Sequence, residues 1–259
     1  MTARDRAVRP FERSMTAAVR DVQEGLIAHY SAKIRGTTKA DAGDLDLDED
    51  DENRDFIADA YRTTFPVIDR AFAAGGRSGL LKARVGISFD VRNSQAERWL
   101  RRREQRFVEQ VADSAWRELK TKLSRAMEAG TSIDNLVEIV QDLPAFRPER
   151  AEMIARTEVI GAYNGGLEEG FRQSGNVQAK VWLAALDDRT RETHAILHDQ
   201  RVPIGENFVS VSGASGPAPG QLGEPGEDIN CRCSMEAIVG FAPDVDEIPA
   251  GVNDTEVLD

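Results

Sequence analysis

The segment FRPERAEMIARTEVIGAYNGGLEEGFRQSG, residues 146–175, separates a helical sequence from a mixed one. Pro148 stands near its start and Gly175 at its end. Proline favours the first turn of a helix, and glycine favours the position just after the last turn. The apolar residues between them keep the spacing of one helix face: Ala151, Ile154, Ala155 and Val159. The segment therefore predicts one long helix.

The sequence after this helix changes character. VQAKVWLAAL (177–186) alternates and is rich in β-formers, which is typical of a strand. DDRTRETHAILHD (187–199) predicts a loop that leads into a short helix. The Gly- and Pro-rich stretch 201–230 predicts irregular structure or short strands. CRCSMEAIV (231–239) predicts the closing strand of a small α+β domain.

The sequence before residue 146 is mainly helical in pattern. Apolar spacing predicts four helices: 11–35, 54–74, 94–129 and 133–143. We expect the glycines of AGGRSG (74–79) to end the second helix, and Thr131 or Ser132 to cap the fourth. VGISFDV (85–91) predicts a short strand or an extended link.

These patterns predict an α+β protein, with an extended helical N-terminal region followed by a small α+β domain. The predicted division is 1–145, mostly helical, then 146–240, the α+β domain, then 241–259, an acidic and disordered tail. Within the first region, 41–55 is strongly acidic. Because its like charges repel, it predicts a loop or the start of a helix.

The composition indicates a soluble, globular chain. Its 259 residues are 41% hydrophobic and 30% charged. The net charge of −12 argues against a whole surface that clamps DNA non-specifically. No apolar run approaches the roughly 18–20 residues of a membrane helix, and the N-terminus lacks the apolar core of a signal peptide. We therefore expect no membrane partner and a cytoplasm-like compartment.

A local basic cluster lies within this acidic chain. Its members are Arg98, Arg101, Arg102, Arg103 and Arg106. Such arginines can contact the phosphates of DNA or an acidic partner. Glutamates are interleaved with them, a pattern more often found on a solvated helix face. Both interpretations stay open.

Cys231 and Cys233 are the only cysteines. A disulfide between them is disfavoured, because Cα atoms two residues apart on a strand are about 6.5–7 Å apart. Two thiolates on one face suit a metal ion, and His194 and His198 have the i, i+4 spacing of one helix face. These four residues form a candidate zinc site, although the Cys-x-Cys spacing is shorter than usual. The alternatives are buried cysteines with surface histidines, or a reactive thiol.

Two further pairs of residues each allow two interpretations. Asp187 or Asp188 either orients His194, as a metal ligand or a general base, or caps the following helix. We favour the cap for at least one of them. Arg156 and Glu158 form either an exposed ion pair or a buried pair that links their helix to the cysteine strand.

Taken in order, three segments resemble the phage Mu F-like minor head proteins of tailed phages, also called head morphogenesis proteins. They are RAEMIARTEVIGAYNGG, KVWLAALDDRTRETHAILHDQRV and GEPGEDINCRCSMEAIV, within about residues 146–240. The shared motifs are A-R-T-E, K-x-W, D-x-R-T-R-x-x-H and N-C-R-C. Their residues here are Arg156, Thr157, Glu158, Trp182, Asp187 or Asp188, Arg189, Thr190, Arg191, His194, Asn230, Cys231 and Cys233. His198 lies outside the pattern, and Gln200 stands where the family often has glycine.

The resemblance implies a structural virion protein with no catalytic residues. It implies a place in the phage head, in its interior or at the portal, after assembly in the host cytoplasm. The implied partners are the portal protein, the major capsid protein and packaged DNA. Zinc is the one cofactor that the cysteines and histidines suggest. Two alternatives remain: a metal- or thiol-dependent hydrolase acting at entry, and a DNA-binding packaging accessory.

Overall fold

The chain divides into two units that interleave along the sequence. The structure, a computed structural model, describes residues 3–36, 50–107 and 113–240. One unit comprises Met1–Ala71 with Arg92–Ala162, and the other Phe72–Val91 with Tyr163–Asp259. Both units draw on the long helices α2 and α6, so their limits differ from the predicted ranges 1–145 and 146–240. The predicted tail and most of the acidic segment 41–55 lie outside the described residues.

The first unit is built from helices with buried apolar faces. Their bounds are Ala3–Gly36 (α1), Asp50–Lys82 (α2, first part), Ser94–Phe107 (α3), Asp113–Glu128 (α4), Ile133–Gln141 (α5) and Pro148–Ser174 (α6, first part). A 3-10 turn, Pro144–Phe146, precedes α6. Side chains of α1, α4 and α5 share one core: Tyr30, Leu119, Leu123, Leu136 and Val140. Apolar burial at this spacing is what holds amphipathic helices together.

Two helices of this unit can be compared with their predicted starts and ends. Ser132, one of the two predicted caps, caps α5, because its hydroxyl oxygen accepts a hydrogen bond from the Asn135 N–H at 3.3 Å. The helix predicted over 94–129 appears as α3 and α4, and residues 108–112 lie outside the described part of the chain.

The second unit holds the strands. After α6 come Val177–Leu183 (β1), Glu192–Leu197 (α7), Arg201–Pro203 (β2), Phe208–Val209 (β3), Ser215–Gly216 (β4), Pro225–Asp228 (α8) and Ser234–Val239 (β5). β1 is the central strand of an antiparallel sheet in the order β2-β1-β5, and β3 pairs with β4. The predicted α+β class is confirmed. Residues 85–91 are an extended link rather than a strand.

The prediction that AGGRSG ends a helix is wrong. α2 continues to Lys82, because its glycines lie against the backbone of α6. A Cβ atom added at Gly75 would lie 2.0 Å from the Tyr163 carbonyl oxygen, and one added at Gly166 would lie 1.9 Å from the Phe72 carbonyl oxygen. Glycine costs roughly 1 kcal/mol in a helix interior. The close approach of two backbones explains why these helices retain it.

The described helices contain no stretch both long and apolar enough to pass through a bilayer.

Candidate functional site

The two cysteines lie in the loop between α8 and β5. The prediction that they sit on the closing strand is wrong, because β5 begins only at Ser234. Asn230 has a φ of 58°, a left-handed conformation that asparagine tolerates better than most residues. The Cys231 N–H donates to the Asp228 carbonyl at 3.2 Å, which completes a turn out of α8.

His194 meets both cysteines in the interior of the second unit. Its Nδ1 atom is 3.4 Å from Sγ of Cys233 and 3.8 Å from Sγ of Cys231. The three donor atoms all lie within 4.8 Å of one another. His194 is 2% exposed, Cys231 1% and Cys233 2%, so the donors are closed off from solvent. We call these three residues the Cys–His cluster.

His198 does not join the cluster. The one-face prediction required the helix to continue, but α7 ends at Leu197 and His198 has φ −57° and ψ 134°. Its Nδ1 atom instead accepts a hydrogen bond from the Ala184 N–H at 3.1 Å. His198 therefore secures the end of β1, and the predicted set of four ligands reduces to three.

Glu227 lies on the other side of the His194 ring. Its Oε2 atom is 3.0 Å from Nε2 of His194, although the ring N–H is not directed straight at it. Hydroxyl groups of Thr193, Ser210 and Ser212 donate to the same carboxylate at 2.9, 3.1 and 2.6 Å. Burial alone would raise the pKa of Glu227, but these hydrogen bonds outweigh it and lower that pKa. The sequence offered no signal that separates Glu227 from other glutamates.

The cysteine thiols are electrostatically unequal. A hydrogen bond from Cys231 to the Cys233 sulfur lowers the pKa of Cys233, and it raises the pKa of Cys231 together with burial. His194 and the indole N–H of Trp182 also help to lower the pKa of Cys233. The Trp182 ring packs edge-on to His194 with centroids 5.4 Å apart, and its buried N–H has no hydrogen-bond partner among the described residues. Cys233 is therefore the favoured thiolate.

Residues of the D-x-R-T-R-x-x-H motif tie their loop to the cysteine loop. Asp187 forms a two-point ion pair with Arg232, the residue between the cysteines, and this pair holds the pKa of Asp187 well below its usual range. Arg191 donates to the Ile229 carbonyl. The predicted cap by Asp187 or Asp188 is wrong, because α7 starts at Glu192 with Arg191 at the cap position. Asp187 instead accepts from the Arg189 N–H at 3.1 Å within its own turn.

Two buried polar residues of the second unit were not predicted. The Asn164 amide donates to the Cys233 carbonyl at 2.9 Å and to the Pro219 carbonyl at 3.2 Å. Lys180 has no exposed surface, and its Nζ atom lies 3.1 Å from Glu168 Oε1. Burial lowers the pKa of Lys180 despite the opposing effect of Glu168. Position in the K-x-W motif was the one available signal for Lys180.

The A-R-T-E motif lies in the first unit and makes a buried ion pair. Glu158 Oε2 accepts from Nε of Arg103 at 2.7 Å, and Arg103 also donates to the Thr157 carbonyl at 3.2 Å. Both predicted arrangements for Glu158 are therefore wrong, since its partner is Arg103 of α3. The prediction of Arg103 as a phosphate contact is also wrong, because the side chain is only 5% exposed. The other four arginines of the basic cluster on α3 are exposed: Arg98, Arg101, Arg102 and Arg106.

Residues 117–236 match the model of a family described as Phage Mu protein F like protein. The chain carries a phage Mu F-like domain. The resemblance inferred from the motifs is thereby confirmed, and the match extends it towards the N-terminus, from residue 146 to residue 117. The Cys–His cluster, Glu227 and the Asp187–Arg232 pair all fall within the Mu F-like range.

Curated relatives match the chain over part of their length. Minor head protein GP7 of Bacillus phage SPP1 is 30% identical over 140 residues, which are 52% of this chain and 45% of that protein. Uncharacterized protein YqbB of Bacillus subtilis is 26% identical over 172 residues, 62% and 56% of the two chains. NAD(+)--arginine ADP-ribosyltransferase EFV of Enterococcus faecalis is 32% identical over 101 residues, 38% and 20%. The chain thus spans less than two thirds of each. No solved structure matches it.

Proposed function

We propose that this chain is a minor head protein of a tailed phage or prophage, acting at or near the portal during head assembly. The proposal rests on the match of residues 117–236 to the Mu F-like family, together with the 30% identity over 140 residues to a relative named as a minor head protein. The finer assignment to the portal rests on what the family resemblance implies. Portal and major capsid proteins are accordingly the proposed partners.

The internal contacts of the motif residues support a structural role. Asp187 binds Arg232, Arg191 binds the Ile229 carbonyl, and His194 lies against both cysteines. These contacts join segments of one domain to each other, and His194 and both cysteines are buried, although Arg191 also lines an open pocket of about 640 Å³. A motif whose polar groups satisfy one another specifies a fold, because buried polar groups need partners. A scaffold that presents its outer surface to other head proteins fits this arrangement.

The burial of the sulfur atoms speaks against the thiol-dependent hydrolase. A catalytic cysteine must reach its substrate, and reactive cysteines are partly exposed. Cys231 and Cys233 are 1% and 2% exposed. The relative named as an ADP-ribosyltransferase shares only 20% of its length with this chain, and its name describes that whole protein.

Contact with packaged DNA is a second proposed activity, carried by α3. Four arginines of α3 are exposed: Arg98, Arg101, Arg102 and Arg106. Nη2 of Arg101 lies 3.3 Å from Oε2 of Glu97, so this arginine is partly neutralised. Lys and Arg side chains that neutralise phosphates make binding strongly salt-dependent. We expect DNA retention at low salt that weakens steeply as salt rises, and that is lost when the four arginines are changed to glutamine. Equal retention by that variant would contradict DNA contact through α3.

The test of the head role is to delete the gene from a phage or inducible prophage that carries it, and to purify the particles. We expect the wild-type chain to be present in purified heads in few copies and to co-purify with the portal protein. Deletion should reduce packaged or infectious particles, and the gene supplied in trans should restore them. Absence of the chain from heads, or unchanged assembly, packaging and infection after deletion, would overturn the proposal.

A further inference from the structure

The Cys–His cluster has the size of a metal coordination shell. Zinc lies about 2.3 Å from cysteine sulfur and about 2.0–2.1 Å from histidine nitrogen, with tetrahedral angles. Those lengths place a nitrogen and a sulfur ligand about 3.5 Å apart, and two sulfur ligands about 3.8 Å apart. The measured separations of Nδ1 from the two sulfurs are 3.4 and 3.8 Å, and the three donors all lie within 4.8 Å of one another.

We propose that Nδ1 of His194 and the Sγ atoms of Cys231 and Cys233 bind one zinc ion. Thiolate and imidazole are the ligand types that suit zinc, whereas magnesium and calcium prefer oxygen donors. The inference concerns the Mu F-like domain itself and does not rest on the proposed role in the phage head.

The surroundings of His194 are those of a metal-bound imidazole. A ligating histidine commonly presents its second ring nitrogen to a carboxylate, which fixes the ring and raises its basicity. A metal on Nδ1 leaves the proton on Nε2, and Nε2 is the atom 3.0 Å from Glu227. Thr193, Ser210 and Ser212 hold that carboxylate in place. Nε2 of His194 therefore faces a carboxylate held by three hydroxyl groups, while Nδ1 faces the two cysteine sulfurs.

The sulfur side is also supported. The indole N–H of Trp182 is buried without a hydrogen-bond partner among the described residues, and the Trp182 ring packs edge-on to His194 with centroids 5.4 Å apart. Asn164 fixes the backbone of Cys233 by donating to its carbonyl at 2.9 Å. Without a metal, two buried sulfurs, an imidazole and a buried carboxylate would stand together with fewer compensating interactions.

The described residues supply three ligands, which leaves one position of a tetrahedral zinc shell for a further donor. Three protein ligands and one water is the ligand count of catalytic zinc sites. Here the ligands are buried, and we assign the ion a structural role. It would join α7 to the loop before β5, and so link segments separated by 37 and 39 residues.

The test starts with elemental analysis of the full chain purified without chelator. We expect about one zinc per chain in the wild type and in His198→Ala, which removes a histidine outside the cluster. Cys233→Ser and His194→Ala should lose at least ten-fold in zinc content at equal free metal. Glu227→Gln should keep the site but weaken its zinc affinity by roughly 10–100-fold, the usual effect of losing an outer partner of a ligand.

A second measurement covers variants that fail to fold. Wild-type protein stripped by a chelator, and shown by circular dichroism to retain its fold, is titrated with cobalt(II). We expect one equivalent to give the absorption of a tetrahedral cobalt–thiolate site, and zinc to displace it. Folded apo-protein that takes up neither ion would overturn the proposal. Iron or copper in place of zinc in the purified protein would overturn the choice of metal.

Discussion

Nδ1 of His194 lies 3.4 Å from Sγ of Cys233, although 39 residues separate them along the chain. The contact brings the start of α7 against the loop before β5. Between these two points lie β2, β3, β4 and α8, all short elements. A segment with so little regular structure gains much of its order from such cross-links, because each ordered residue costs roughly 1–2 kcal/mol of backbone entropy. The cluster therefore matters first for the fold of the second unit.

Gly166→Ala should destabilise the second unit, because the new Cβ would lie 1.9 Å from the Phe72 carbonyl oxygen. Overpacking costs about 1–3 kcal/mol, and a 1.9 Å approach to a backbone oxygen puts this site in the upper part of that range, above the roughly 1 kcal/mol that alanine gains over glycine in a helix. The free energy of unfolding, measured by urea titration, checks this. Gly25→Ala is the matched control, since a Cβ there meets nothing within 4 Å. It should leave stability unchanged or raise it, and equal effects at the two sites would contradict the close-approach explanation.

Arg103→Ala should strongly destabilise the first unit. It leaves Glu158 buried without its partner, and breaking a buried pair from one side costs about 3–5 kcal/mol. Arg102→Ala removes an exposed neighbouring arginine and should change stability by less than about 0.5 kcal/mol. Thermal unfolding of the two variants compares them directly. The double variant Arg103→Met with Glu158→Leu should recover much of the loss, and failure to recover would indicate that the pair does more than neutralise charge.

Local patterns predicted the elements well where one interaction dominates. Helical apolar spacing located α1, α5 and α6, β-formers located β1, and a serine located the start of α5. Each of these elements depends on residues that are close together in the sequence, so the local pattern predicts it. The α2 glycines show the limit. Their local preference for a helix end is overridden by the backbone of α6, which lies about 90 residues away in the chain.

Only part of the candidate site could be predicted from the sequence, because some of its contacts depend on tertiary packing. Cysteine and histidine types identified His194, Cys231 and Cys233 as one group. The i, i+4 rule then failed for His198, because it assumes a helix that in fact ends at Leu197. The contact of Glu227 with His194 and the pairing of Glu158 with Arg103 could not be predicted from the sequence. Tertiary packing fixes these two contacts across 33 and 55 residues, and the residue types alone do not identify the partners.

Asp187→Asn should flatten the dependence of stability on acid pH. The ion pair with Arg232 lowers the pKa of Asp187 below its ordinary value of 3.8. A carboxylate with a lowered folded-state pKa contributes stability above the unfolded-state pKa, and loses it as pH falls through the folded-state pKa. Melting temperatures measured from pH 5 down to pH 2 should therefore fall less steeply in the variant than in the wild type. Asp188→Asn, one residue along, is the control and should follow the wild-type curve, because Asp187 makes the pair with Arg232.

Chelation should lower the melting temperature of the chain, and added zinc should restore it. A ligand at 100 times its dissociation constant stabilises the folded state by about 2.7 kcal/mol. For a chain of this size that corresponds to a shift of about 5–10 °C. Differential scanning calorimetry with chelator, and again with excess zinc, measures it. His198→Ala should show the full shift, because His198 bonds Ala184 outside the cluster. Cys233→Ser should melt at the chelated temperature and respond to neither addition. A wild-type melting temperature unmoved by both additions would mean that hydrogen bonds alone hold His194 against the cysteines.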